Sequence, residues 1–424
     1  MKESNTIANK HEAPEPPETP QDRFRAAFAP RTLMLGLGVL LLQFGFILSY
    51  IGAFHSPAPH RIPVTVVAPE QVAQRLIAQL NEIAGQPVTA STTDDANAAR
   101  ENLRTGETSA VYVVNPPGTN DSLLIASGGG TAVATAVEQL STKAAAQQQR
   151  TVTVDDVVPL QPGDARGLSG FYLVIGWAVG GYLLAAMLGI AKGSRPANFF
   201  RALWRLRATV PYAVASGLGG TAIADMVLHA LGGHFWPIAA MGMLVTLAAA
   251  TVTIALQTLF GVIGIGLTVV IFVILGNPSA GGAYQPALLP TFWRAISAAL
   301  PNGAGTDAIR RIVYFDDHGV TPNILVLVGW VVGGVLLTLV AFATKRTARS
   351  VAATGSILPG RKEIEVSTAA VPAGRLVVQR DPSDIVENLH RAGRNPDVPQ
   401  SAYAVLLSAP SGSADIVGVT VHPA

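Results

Sequence analysis

Asp225 and His229 are the ionisable residues whose spacing first suggests chemistry. Four positions apart, they share one face if the segment around them is a helix. That segment, Thr209 to Leu231, is otherwise largely apolar. An ionisable side chain in a membrane helix is costly, and its usual role is a pathway or a proton relay. A proton-driven pump would rest on these two residues alone. The competing reading is structural, because both lie in the outer third of the segment, near His234, where water or a neighbouring helix can satisfy them.

Other chemistries lack their residues. No G-x-x-x-x-G-K-[ST] loop occurs, and the nearest Gly-rich stretch, "SGGGTAVATA" (127–136), has no lysine. It reads as a tight turn from a strand into a helix. There is no H-E-x-x-H, and the eight histidines do not fall at metal-ligand spacing. The absence of cysteine removes thiolate metal sites, thiol catalysis and disulfides. "GLSGF" (167–171) matches part of a nucleophile elbow, but it precedes an apolar helix instead of following a strand. The expectation is no enzyme, no catalytic residue, no cofactor and no metal. A net charge of +2, without a clustered basic face, argues against nucleic acid.

The elements that would position Asp225 and His229 are membrane helices. Of 424 residues, 49% are hydrophobic and 13% charged, and mean hydropathy is +0.39. A soluble domain carries about 25% charge. Met226 to Trp293 contains no Asp, Glu, Lys or Arg. About 20 apolar residues in helix cross a hydrocarbon layer of about 30 Å. Six such segments are expected: Leu33–Phe54, Phe171–Ala191, Thr209–Leu231, two within Trp236–Gly276 that fold back near Gln257–Gly261, and Ile324–Thr344. The fold class is thus a polytopic α-helical membrane protein with an inserted extracytoplasmic α/β domain.

Basic residues set the expected orientation. Arg23, Arg25 and Arg31 precede the first span. Lys192, Arg195, Arg201, Arg205 and Arg207 fill the loop after the second. Lys345, Arg346 and Arg349 follow the sixth. Six spans put all three groups on the cytoplasmic side, with both termini there, in the cell membrane. Arg294, Arg310 and Arg311 run against the bias. The first span is expected to be a retained anchor, because it is too long for a signal h-region and "FHSPAPH" is a poor cleavage site.

Outside the spans, residues 1–30 are Pro/Glu-rich and read as a disordered cytoplasmic tail. Residues 31–55 hold the first span. Residues 56–167 alternate β-rich and helical runs in the order β-α-β-α-β-β-α-β, enough for a small sheet with packed helices. Its first helix, 70–85, places Val72, Leu76, Ile77 and Leu80 on one face. The next, 94–107, opens with acidic residues suited to a helix N-terminus. Residues 168–344 are a five-helix membrane domain. Within it, 278–322 holds two short helices, between Pro290 and Pro301 and over 305–315, with Thr306 or Asp307 as cap. They lie on the surface or dip into the bundle, and Trp293, Tyr314 and Phe315 are types favoured at headgroup level. Residues 345–424 form a cytoplasmic tail with three strand-like stretches, over 374–381, 402–410 and 415–423. "GWAVGGYLL" (176–184) recurs as "GWVVGGVLL" (329–337), each with a G-x-x-x-G that lets backbones approach. Nothing else in the two regions repeats, which favours convergence on one packing motif.

The layout of one anchor, an α/β domain and five helices resembles the permease subunits of type-2 ABC transporters, in particular the phage-infection-protein-like branch. The carrying stretches are "DDANAARENLRTGETSAVYVVNP", "LSGFYLVIGWAVGGYLLAAMLG", "ALQTLFGVIGIGL" and, most specific, "NPSAGGAYQPALLPTFWRAISAALPNGAGTDAIRRIVYF". They cover roughly residues 30–345. The resemblance implies export of a hydrophobic or amphiphilic substrate, driven by a separate cytoplasmic ATPase, by a permease that can form a homodimer. It also implies a coupling segment near Pro30 and in 192–207, where Arg195, Phe199, Phe200, Trp204 and Arg205 stand. The same basic, aromatic stretch suits an amphipathic anchor on anionic membrane lipid. A different class, a non-transporting envelope protein acting through its outer domain as a receptor, is the alternative.

Overall fold

The computed structural model describes residues 30–193, 196, 199–355, 404–408 and 414–418. They fall into two compact units, Met1–Arg349 and Ser350–Ala424. In the second, β6 (Ala404–Ser408) and β7 (Ala414–Gly418) pair antiparallel, Ala404 opposite Gly418. These match two of the three strand-like tail stretches. The third, 374–381, and residues 1–29 lie outside the described residues.

The first unit begins with α1 (Pro30–Phe54). It then builds the expected alternation: β1 (Ile62–Val67), α2 (Glu70–Asn81), β2 (Val88–Thr93), α3 (Ala96–Arg104), β3 (Ala110–Val113), β4 (Asn120–Ile125), α4 (Thr131–Gln147) and β5 (Thr151–Asp156). The strands form one sheet in the order β2-β1-β3-β4-β5. β1 runs parallel to β2 and β3, β3 and β4 make an antiparallel hairpin, and β5 runs parallel to β4. Side chains alternate along β3. Ala110 and Tyr112 face α2 and α4, while Val111 and Val113 face α3. The acidic start of α3 acts as expected: the Asp95 carboxylate accepts from the Asn97 and Ala98 backbone N–H groups at 2.8 and 3.1 Å. It satisfies donors that the first turn leaves without partners.

The helical part comprises α5 (Ser169–Lys192), α6 (Phe199–Ala222), α7 (Phe235–Phe260), α8 (Ile263–Val269), α9 (Thr291–Ser297), α10 (Pro301–Tyr314) and α11 (Thr321–Gly355). Four stretches are long and apolar enough to cross a membrane: Thr32–Phe54, Ser169–Ala191, Phe235–Phe260 and Thr321–Ala341. α6 continues into a π-helical turn, Ile223–Val227, and α8 continues through a π-helical stretch, Val270–Leu275, to Ser279. The chain reverses after α7 at Gly261, whose φ of 66° suits glycine. This is where the fold-back was expected.

α7 is the axis of the bundle, with 78% of its most apolar stretch buried against 6% in α1. Three helices touch its backbone at glycines. Gly181 of α5 lies against Thr246, Gly217 of α6 against Ala239, and Gly334 of α11 against Thr251 and Val252. Gly181 and Gly334 hold the same place in the repeated motif, so both copies dock on one helix. Gly176 and Gly329, the first glycines of the two G-x-x-x-G pairs, face open space. The Trp177 and Trp330 indoles, also equivalent, donate to the carbonyls of Ser216 and Ala299 at 2.9 and 2.8 Å. Hydroxyls buried in α7 bond back one turn, as Thr253 does to Ala249 at 2.7 Å and Thr258 to Ile254 at 2.7 Å. Such back-bonding satisfies these hydroxyls without water.

Candidate functional site

The most constructed place in the molecule is where the sheet meets the helices, and α10 organises it. α10 starts at Pro301, five residues before the expected cap. Thr306 therefore sits inside the helix, and its hydroxyl donates to the Asn302 carbonyl at 2.8 Å. Most of α10 is buried, with Ala304 and Ala308 fully enclosed beside α5 and α7. The segment thus enters the bundle and does not lie on its surface. Trp293 and Phe315 are buried in protein as well, at 9% and 7% exposure.

Asp307 answers the arginines that ran against the charge bias. Arg311 Nε donates to Asp307 Oδ2 at 2.8 Å, Arg310 Nη1 lies 3.7 Å from Oδ1, and Asn323 Nδ2 donates to Oδ2 at 2.9 Å. Burial pushes the Asp307 carboxyl upward, but both guanidiniums and the bonds from Asn323 and Arg311 outweigh it, and the group stays below the usual carboxylate range. Arg310 also donates to the Gly281 carbonyl at 2.7 Å.

The end of α10 enters the α/β domain. Phe315 packs among Val67, Ala99, Leu103, Val111 and Ala126, completing that face of the sheet. The Tyr314 hydroxyl donates to Asp164 Oδ2 at 2.6 Å, and Asp164 Oδ1 accepts the Ser169 N–H at 2.8 Å at the start of α5. Burial first, then the Asp164 carboxylate, push the Tyr314 phenol up. The glycines after β4 explain themselves here. A Cβ on Gly128 would strike Tyr314, one on Gly129 would strike Phe315, and one on Gly130 would strike Gln285. The stretch read as a simple turn is a seat for α10 and its neighbours. Only the contact partners, far along the chain, reveal this.

Beside this plug, a cleft of ≈ 860 Å³ opens between the end of α1, the start of α5 and the near half of α4. Pro57, Leu168, Tyr284 and Leu288 line it with Lys143 and Arg166, and among the described residues no acidic one does. Both cations are exposed. A second, apolar slot of ≈ 170 Å³ lies between α2, α4 and the sheet. Leu140 of α4 lines both spaces. α2 is tied to β2, where Asn81 exchanges bonds of 3.2 and 2.8 Å with the Ala90 backbone, and the slot opens beside it. Of its expected apolar face, Val72 is exposed, Leu76, Ile77 and Leu80 are only half-buried, and Ala73 alone is buried. At its far end stand Tyr112, Asp121 and Arg150. Arg150 donates to Asp121 at 2.7 Å from Nε and 2.5 Å from Nη2, and the Tyr112 hydroxyl donates at 2.7 Å. Burial raises Asp121, but the bonds from Arg150, Asn115 and Tyr112 prevail and hold it below the usual range.

The residues singled out by sequence fall elsewhere. Asp225 lies in the π-helical turn, and His229 lies past the helix end with φ 51°. They do not share a helical face, because the chain turns out of the helix between them. The turn they belong to docks on the linker before α5: Gln161 and Gly232 exchange bonds of 3.1 and 2.7 Å. Of the 192–207 stretch, Phe199, Phe200 and Trp204 stand exposed on the first turns of α6, and Arg207 lies over the Trp204 ring at 5.7 Å. Arg205 is turned inward and donates to the Gly193 carbonyl at 2.6 Å. Arg195 is outside the described residues. Among the described residues, no group of His, Asp and Glu is placed to hold a metal ion.

No family model matches the chain, and no solved structure matches it. The "Uncharacterized protein YhgE" of Bacillus subtilis (strain 168) is 26% identical over 190 residues, which are 44% of this chain and 23% of that protein. The match spans less than a quarter of that relative's length. It supports a relation to YhgE-like proteins.

Proposed function

We propose that the chain is the membrane permease subunit of a type-2 ABC-exporter-like system. It would move a hydrophobic or amphiphilic substrate outward across the cytoplasmic membrane, driven by a separate ATPase. Six spans underlie this reading. The third is the end of α6 with its π-helical turn, and the fifth is α8 through Ser279. A run of about 19 helical residues from Thr209 and one of 17 residues from Ile263 are each close to the bilayer thickness. With six spans both termini are cytoplasmic and the α/β domain is outside.

The observation that carries the proposal is the plug of Tyr314 and Phe315 beside the open cleft. A helix buried in the bundle is fixed at its end to the sheet, so a shift of α5 or α7 alters the cleft walls. The exposed aromatic row Phe199, Phe200 and Trp204 supports a docking segment on the opposite side. The test is reconstitution in vesicles with the co-purifying ATPase. Substrate-stimulated ATP hydrolysis that Trp204→Ala abolishes is the expected result. A complete, active protein with no ATPase and no transport would sink the reading.

The alternative is a non-transporting envelope protein, and the slot inside the α/β domain favours it, since that domain has a binding space of its own. Replacing the helices after Ser169 by one generic anchor separates the two. Activity that survives this replacement belongs to the outer domain alone.

A further inference from the structure

We propose that the slot between α2 and α4 receives the hydrocarbon chain of an anionic amphiphile whose head group lies in the adjoining cleft, beside Lys143 and Arg166. This deepens the export reading and rests on it for the direction of travel. Three observations lead here.

The first is the unfilled core. Protein interiors close on themselves to crystal-like density. Here an apolar helix face of Val72, Leu76 and Leu80 opposes Val64, Val66 and Val88 of the sheet, yet ≈ 170 Å³ stays empty between them. An apolar cavity of about 150 Å³ stays dry and takes a benzene-sized guest. This slot therefore suits about six carbons, and its open side admits a longer chain.

The second is chemistry along α4. Lys143 and Gln139 face the cleft, while Ser141, Ala144 and Ala145 face the slot, and Leu140 belongs to both walls. A molecule with its charged end on the first set and its tail on the second crosses only Leu140. The far end of the slot is closed to a competing anion, because Arg150 is already committed to Asp121 and to the Asn115 carbonyl. The charge of the head group must then be met at the cleft, where two exposed cations stand without an acidic neighbour in the lining.

The third is position. The cleft is walled by the residues just after α1 and just before α5, the ends of two membrane-crossing stretches. An amphiphile leaving the lipid at that level meets the cleft first and the slot second.

The test uses the full chain in nanodiscs, without any ATPase, and a fatty acid carrying a photoreactive diazirine near its chain end. Mass spectrometry locates the adducts. The expected result is labelling of 70–83 and 137–148, together with lipid-facing residues of α1 and α11. Ala144→Trp or Ser141→Phe fills the slot and abolishes the first group while leaving the second, which reports that the variant is intact. Lys143→Glu with Arg166→Glu lowers slot labelling by the acid about fivefold, the effect of losing exposed charge pairs, and leaves labelling by the corresponding methyl ester unchanged. Adducts confined to α1 and α11, or slot adducts indifferent to Ala144→Trp, overturn the proposal. Slot labelling in a protein that transports nothing leaves the binding site standing and removes the export reading, so the two fail separately.

Discussion

The two faces of the sheet are drawn from similar residues and finished differently. On one, α3 lies close, with Ala99 and Leu103 fully buried, and Phe315 arrives from α10 to close the last gap. On the other, α4 packs at its near half, and α2, bonded to β2 through Asn81, leaves the slot beside its half-buried apolar face. A face closed by a side chain from the helical bundle ties the two layers together. A face left open offers space to a guest. The two sides of one small sheet thus differ by which partner completes each.

Phe315→Ala should cause the largest loss. Removing a buried phenylalanine costs about 3–5 kcal/mol, and hydrogen exchange should show α3 and β3 losing protection first. Unchanged protection over Ala96–Arg104 would mean that the plug does not complete that face.

Asp121→Asn comes next, at about 1–3 kcal/mol, because it removes the acceptor shared by Arg150 and Tyr112. The sign with pH follows from the depressed carboxyl. Its contribution is complete above the unfolded value of about 3.9 and disappears as pH falls through the lower folded value. An acid titration of thermal stability should lose that limb in Asp121→Asn. Parallel acid limbs in the two proteins would show that the carboxylate does not brace the slot.

Leu80→Ala should cost least, under about 1.5 kcal/mol, whereas a closed core commonly loses 2–5 for this change. Melting of the two single variants, Phe315→Ala and Leu80→Ala, compares the faces directly. Equal losses would erase the distinction between a closed and an open side.

Much of the architecture was legible along the chain. The period-2 and helical runs between 62 and 156 gave every strand and helix of the α/β domain, and the Asp95 cap was readable from its acid before a helical stretch. Four of the expected spans are present as single apolar helices. Asp225 and His229 misled, because spacing predicts a shared face only while the helix continues, and the backbone turns at His229. Thr306 and Asp307 misled for a related reason: Pro301, tolerated at the first helical position, starts the helix earlier. Trp293, Tyr314 and Phe315 carried the signal of headgroup aromatics, yet an aromatic ring suits a protein core equally well.

Composition alone settled that most residues beyond Gly170 need an apolar surrounding, since so few charges cannot form a watered surface. It also set the list of elements, because periodicity is a local property of the backbone. Whether an apolar helix meets lipid or protein was left to the tertiary structure: α1 and α7 are both apolar enough to span, and one is almost bare while the other is enclosed. The cleft, the slot and the seat for Phe315 were decided there too. Each is made by residues distant in sequence, and an empty space between two elements leaves no mark on either one.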